Sequence, residues 1–407
     1  MDLVLKNISL LGIPKRDHIE RYRNVDIGIE NDRISYIGSD CPKGKKTLDA
    51  KGYIVLPGIV DPHTHAIWGG SRANEFARRL QGISYTQILE EGGGILSTVH
   101  ATRKTSPQEL KSNALVRSNA MHQNGVTHIE IKSGYGLDPV SEAKILGVAN
   151  HLYPSDMITP TFLGAHTIPQ EYRNTREKYV QQIIDEQLPK CAPLSKFIDV
   201  YCDKGAFSLE ESIEILKAGQ NLGLQIKAHA EQVTHTGIAE KASEMGAVSV
   251  EHLEYATDND ISAMKKNGTV AVLLPGAQLY LRDQAPPVFA LREAGVPIAI
   301  GSDLNPGSSP VYNIWTCATL ACLIQGLTME EALLGITIHA GKALDHPTAG
   351  KIEIGFPADL SLYRPPPGDP IELESLLQSM GYNCCILTIK AGEILYAHPN
   401  ILLQENT

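Results

Sequence analysis

The stretch Ile54–Val–Leu–Pro–Gly–Ile–Val–Asp–Pro–His–Thr–His65 decides how the rest of the chain is read. Residues 54–60 form an apolar run interrupted by a Pro–Gly turn, which predicts a short buried strand, and two histidines follow where it ends. In extended backbone, residues two apart point to the same side, so His63 and His65 converge on one point. Paired imidazoles suit a transition metal, although His-x-His alone is a weak signal. Three more candidate ligands end apolar runs downstream. His229 closes Leu224–Gln–Ile–Lys–Ala–His229, His252 closes Ala247–Val–Ser–Val–Glu–His252, and Asp303 closes Val296–Pro–Ile–Ala–Ile–Gly–Ser–Asp303.

Eight such runs recur, at 54–60, 127–132, 158–164, 197–202, 224–229, 247–252, 269–274 and 297–302. They are rich in Val, Ile and Leu without clean alternation, as expected of parallel strands covered on both faces. Between them lie helix starts: Ser106–Pro–Gln–Glu109, Ser208–Leu–Glu–Glu211 and Thr328–Met–Glu–Glu331 read as capping boxes, and Asn124–Gly125 as a helix stop. Strand–helix alternation repeated eight times predicts an α/β fold, a (β/α)8 TIM barrel, over residues 57–341. A doubly wound open sheet is disfavoured, because no glycine-rich phosphate fingerprint follows an early strand. Residues 1–56 and 342–407 instead carry short alternating strands at 3–8, 25–30, 33–38, 358–363, 385–390 and 393–397. Each end is too small to bury a core alone, so both termini are expected to pair into one small β-sandwich domain.

Composition bounds the function. The 407 residues are 43% hydrophobic and 20% charged, ordinary for a soluble globular protein. A formal net charge of −10 without a basic stripe argues against nucleic acid as a partner. The one compact basic run, Lys43–Gly–Lys–Lys46, reads as a solvated turn. Seven scattered cysteines without C-x-x-C spacing favour a reduced, cytoplasmic protein. Met1–Pro14 alternates like a strand and not like a signal peptide, and no run reaches the ~18 apolar residues of a membrane helix. A symmetric homodimer is the default expectation.

Barrel enzymes place their chemistry at the C-terminal ends of the strands, where all five candidates fall. His63, His65, His229 and Asp303, with a position left for water, predict a catalytic site for one metal ion per chain. Such an ion lowers the pKa of water from 15.7 to about 7 and polarises a carbonyl, and Asp303 is placed to take the proton. The donor set accepts a divalent or trivalent ion, zinc or iron foremost.

Seven stretches extend the pattern: Asp61–Pro–His–Thr–His65, Trp68–Gly–Gly–Ser–Arg72, Leu80–Gln–Gly–Ile–Ser–Tyr85, Gly92–Gly–Gly–Ile–Leu–Ser–Thr98, Lys132–Ser–Gly–Tyr–Gly136, Leu163–Gly–Ala–His166 and Ser302–Asp–Leu–Asn–Pro–Gly–Ser–Ser–Pro310. On these the chain resembles the amidohydrolase superfamily and, within it, the imidazolonepropionase family. The resemblance implies a small-molecule substrate, 4-imidazolone-5-propanoate, opened to N-formimidoyl-L-glutamate. It also implies that Arg72 holds the propanoate with a bidentate fork. Tyr135 and His166 would sit over the ring with Tyr85 nearby, and Asn305, Gly307 and Ser308 would hold the other end. Many members carry an acid three residues after the fifth-strand histidine, where this chain has Gln232. Glutamine orients substrate but carries no proton. The acid is then Glu231, displaced by one, or His252 and Asp303 work unaided; the second view is preferred. Gly92–Gly–Gly94 reads as a loop over the site and not as a phosphate loop. The rival readings are a two-metal cyclic amidase using Lys204, a guanine or aminopyrimidine deaminase, and a catalytically dead barrel serving as a binding module.

Overall fold

The computed structural model describes residues 1–83, 87, 93–153, 156–401 and 404–405. Eight parallel strands form its centre: β1 (Ile59–Asp61), β2 (Val126–Lys132), β3 (Ile158–Ala165), β4 (Phe197–Cys202), β5 (Gln225–Ala230), β6 (Ser249–His252), β7 (Val270–Leu273) and β8 (Ile298–Ile300). Each pairs with its neighbours in chain order, as the eight apolar runs predict. The seam between β8 and β1 is short. It consists of a bridge between Thr64 and Leu304, with hydrogen bonds from Asp303 N–H to the His63 carbonyl (3.0 Å) and from His65 N–H to the Leu304 carbonyl (2.9 Å). The residues that close the barrel thus lie just beyond the ends of strands 1 and 8.

Helices pack outside with the caps their sequences encode. Ser208 and Thr328 make reciprocal capping boxes with Glu211 and Glu331, and the Ser106 side chain accepts from Glu109 N–H. Such caps satisfy backbone donors that the first helical turn leaves orphaned.

The run at 54–60 is not one strand. Ile54–Pro57 leaves the barrel and pairs antiparallel with Leu360–Tyr363 in a six-stranded sheet of terminal segments. The chain crosses at Gly58, where a Cβ would lie 2.1 Å from Thr127 Oγ1, so only glycine fits. A second, five-stranded sheet contains Leu3–Ile8, Val25–Glu30 and Arg33–Gly38 at their expected bounds. Leu10–Pro14, Ile19–Tyr22 and Lys46–Asp49 add strands the sequence reading passed over. Leu5, Ile27, Val55, Leu362, Leu387 and Ile389 form a buried core shared by residues from both chain ends. No helix among the described residues is long and apolar enough to cross a membrane.

Candidate metal centre

The barrel mouth gathers the histidines. Ring centroids of His63 and His229 are 4.6 Å apart, His63 and His65 5.3 Å, and His229 and His252 5.5 Å. Asp303 Oδ1 lies 3.4 Å from His63 Nε2 and 3.7 Å from His65 Nε2. All five side chains are buried. Ligand atoms of His63, His65 and Asp303, and of His63, His229 and His252, lie within 4.8 Å of one another. The Nε2 atoms of His63 and His229 have no hydrogen-bond partner. Buried, unpartnered imidazole nitrogens facing a carboxylate fit a metal ion.

Backbone strain marks the same place. His252 (φ 78°), Leu253 (73°), Asp303 (50°) and Glu231 (54°) adopt left-handed conformations at or just beyond the ends of β5, β6 and β8. Bulky residues hold such conformations only where their surroundings enforce them.

Electrostatics sort the imidazoles. Burial, with His166 and His63 close by, drives His65 well below its ordinary pKa, and burial also lowers His229, so both are neutral lone-pair donors. Burial pushes His63 down as well, but the Glu251 carboxylate beside it prevails and holds it up at about 9. Asp303 stays ionised because His63 outweighs its burial.

The surrounding loops are braced individually. Arg117 stacks 3.3 Å over the Trp68 ring and donates to the carbonyls of Ala66 and Trp68, fixing the segment that leads to Arg72. Arg72 donates through Nε to Glu75 (2.6 Å) and lines a cavity of about 400 Å³ with Trp68, Ser71, Tyr280 and Tyr312. Its guanidinium rests on Gly307, where a Cβ would lie 2.6 Å from Nη1. Fully buried Glu142 accepts from the N–H groups of Gly134, Gly136 and Leu137, which holds the Tyr135 loop. Tyr135 packs 5.7 Å from His65. His166 stacks on His65 at 5.0 Å, and its Nδ1 lies 3.0 Å from the Gly134 carbonyl. Burial and neighbouring His229 depress His166 to about 3, so it is neutral, with Nδ1–H donating and Nε2 free to accept.

Other candidate residues have hydrogen-bond partners of their own. The Asn305 amide is consumed within its own loop: its oxygen accepts from Gly307 and Ser308 N–H, and its nitrogen donates to the Asp303 carbonyl and Ser308 Oγ. These three residues brace the ledge under Arg72 instead of offering free donors. Glu231 faces away from the histidines, and its carboxylate accepts from the N–H groups of Thr236 (2.5 Å) and Ala239 (3.1 Å). Gln232 is half-buried and its N–H donates to Asp203. Lys204 is exposed, outside the cluster. Tyr85 and Gly92 lie outside the described residues.

With this geometry, comparison with known proteins is specific. A family model described as the amidohydrolase family matches residues 54–395. The chain belongs to the amidohydrolase family. Among similar members, an imidazolonepropionase of Caldanaerobacter subterraneus is 40% identical over 406 residues, covering 96% of this chain and 97% of the relative. One from Colwellia psychrerythraea is 43% identical, with 85% and 87% covered. Solved amidohydrolases share the fold at low identity. A triazine hydrolase superposes with a TM-score of 0.78 at 16% identity, covering 98% of this chain and 96% of its own. A guanine deaminase from C. acetobutylicum gives 0.70, also at 16%, covering 97% and 99%.

Sequence reading missed the layer beneath the histidines of this amidohydrolase. Glu130, Lys132, Asp199, Lys227 and Glu251 fill the barrel interior, essentially inaccessible to water. Some of their carboxylates have metal-like spacing with His63 and His229, but all three are already paired with Lys132 or Lys227. The signal was present: charged residues alternate with apolar ones in Ile129–Glu–Ile–Lys132 and Ile226–Lys–Ala–His229. In a barrel strand that alternation points inward.

Proposed function

We propose that this amidohydrolase hydrolyses the cyclic amide of 4-imidazolone-5-propanoate to N-formimidoyl-L-glutamate, the third step of histidine degradation. The observation that carries the reading is the convergence of three imidazoles and Asp303 at the barrel mouth, in a chain about 40% identical over nearly its whole length to proteins named for this activity. His63, His65, His229 and Asp303 would hold one metal ion. Zinc is favoured over iron by the structural neighbours solved with zinc, among them an adenosine deaminase from Xanthomonas campestris at TM-score 0.73. When bound, the ion supplies Lewis-acid polarisation of the ring carbonyl and activation of water.

The protein's own groups do the rest. Asp303 accepts the proton of the attacking water at its carboxylate. His252 directs Nδ1 toward Glu254 Oε2, 3.7 Å away, leaving Nε2 to pass a proton to the departing ring nitrogen. Arg72 holds the propanoate through its terminal nitrogens, since Nε is committed to Glu75. Tyr135 and neutral His166 pack over the ring, His166 Nε2 accepting a hydrogen bond from it. Gln232 orients the ring without carrying a proton. A ring deaminase is the second reading, favoured by the fold match to guanine deaminase. Following loss of the imidazolone chromophore, beside metal analysis, separates the two. Turnover of imidazolone propanoate with guanine untouched supports the proposal, and the reverse overturns it.

A further inference from the structure

The five charged residues beneath the metal centre form one connected structure with an evident direction. Lys132 Nζ lies 2.8 Å from Asp199 Oδ2, 2.8 Å from Glu251 Oε2 and 3.1 Å from Glu130 Oε2. Lys227 Nζ lies 2.8 Å from both Glu130 Oε2 and Glu251 Oε1, and donates to the Pro62 carbonyl at 3.1 Å. Thr161 and Ser249 hydroxyls donate to Glu130 and Glu251, and His229 N–H donates to Asp199 Oδ1. Two of the three carboxylates then reach upward. Glu251 Oε2 stands 2.5 Å from His63 Nδ1, and Asp199 Oδ2 stands 3.0 Å from His229 Nδ1.

Burying five charges is costly unless each is paired, and a well-packed apolar plug would fill the same space without that cost. The arrangement therefore has to be explained by what it holds. A carboxylate at Nδ1 keeps the proton there, so the nitrogen that gives up its proton to a metal ion must be Nε2. None of the four ring nitrogens makes a regular hydrogen bond, but each Nδ1 has a carboxylate oxygen within 3.0 Å to take its proton, which leaves Nε2 for the centre. Three carboxylates against two ammonium groups also leave one negative charge under the site, favouring a cation above it.

We propose that Glu251 and Asp199, clamped by Lys132 and Lys227, are positioning residues that lock His63 and His229 into the metal-binding tautomer and tilt. The inference rests on the metal site proposed above and goes beyond it, because none of the five residues is among the proposed ligands or substrate contacts. Among the described residues no carboxylate stands at His65 Nδ1, and its ring is instead stacked on His166. The layer thus controls two of the three imidazoles.

The test is metal affinity of the full-length protein, measured by chelator competition with zinc, in Glu251→Gln and Asp199→Asn. Each variant should hold zinc about 10- to 100-fold more weakly than the parent. Replacing zinc by cobalt(II) gives a second readout: the visible d–d bands should shift in both variants, and Glu251→Asp should recover part of the parent spectrum. If Glu251→Gln does not fold without metal, Asp199→Asn, which leaves both lysines paired to Glu130 and Glu251, decides alone. Unchanged zinc affinity and cobalt spectrum in a folded variant overturn the inference, even where the parent binds one metal and opens the imidazolone ring. A parent that binds no metal overturns the site itself, and the inference with it.

Discussion

Asp303 and His63 meet twice: Asp303 N–H donates to the His63 carbonyl at 3.0 Å, and its Oδ1 lies 3.4 Å from His63 Nε2. The contact that closes the barrel between its first and eighth strands therefore also assembles the candidate metal site. Buried Asp61 reinforces the seam by accepting from Ser302 N–H. Asp303→Asn keeps the size and the backbone bond but loses the charge and the proton acceptor. We expect kcat/KM to fall by about 10²–10⁴, with zinc affinity lowered and the fold retained by circular dichroism. Activity within tenfold of the parent would remove Asp303 from the proton path.

Arg72 is set against Gly307 with no room to spare. Arg72→Lys keeps the charge but loses the fork, and kcat/KM should drop at least about tenfold, near 1.4 kcal/mol, with metal content unchanged. Gly307→Ala displaces the guanidinium from the other side, so its loss should appear chiefly in KM. Parent-like kinetics in both variants would place the propanoate elsewhere.

Glu231 sits beside a metal-ligand candidate yet spends its carboxylate on the backbone of Thr236 and Ala239. Thr236 and Ala239 donate to different oxygens, so Glu231→Gln sets an NH2 group against one of those buried donors. Stability should fall by about 1–3 kcal/mol in urea unfolding, while kcat/KM stays within about threefold. Gln232→Glu should leave a working enzyme whose pH profile gains a limb. A nearly inactive, fully stable Glu231→Gln would restore Glu231 as the relay acid.

Acid sensitivity is expected from the opposite end of the barrel. His128 is buried near the start of β2, its Nε2 2.8 Å from Thr159 Oγ1, with the His346 ring 4.6 Å away and Asp156 and Lys390 also near. Burial, then His346, hold its pKa down at about 3. An unfolded histidine titrates near 6.5, so below that pH the unfolded chain takes up a proton that the native one refuses. Stability should decline as pH falls from about 6.5 toward 3, by up to roughly 1.4 kcal/mol per pH unit from this group. Denaturant unfolding at pH 7 and 5 should show a smaller decline in His128→Gln. Equal declines would contradict the assignment.

The barrel was legible because eight apolar runs and three helix caps all pointed the same way, and local signals that agree are what specify a fold. The ligand-type residues were legible for a related reason: each ends a run. The run at 54–60 misled because a Pro–Gly turn reads alike whether a strand bends or passes to another sheet; the clash of any Cβ at Gly58 with Thr127 is a tertiary fact. The loop-folding role of Asn305 went unread because an asparagine that folds its own loop looks, in sequence, like one that greets a substrate. Glu251 and Asp199 went unread because charges inside a strand are ordinarily solvated.

Turnover of imidazolone propanoate in ¹⁸O-labelled water, with the products weighed by mass spectrometry, tests the proposed reaction most directly. Ring opening by water at the amide carbonyl should place one ¹⁸O in the new carboxylate of N-formimidoyl-L-glutamate and release no ammonia. Ammonia released in step with turnover, or a product lacking the label, would contradict hydrolysis of the cyclic amide.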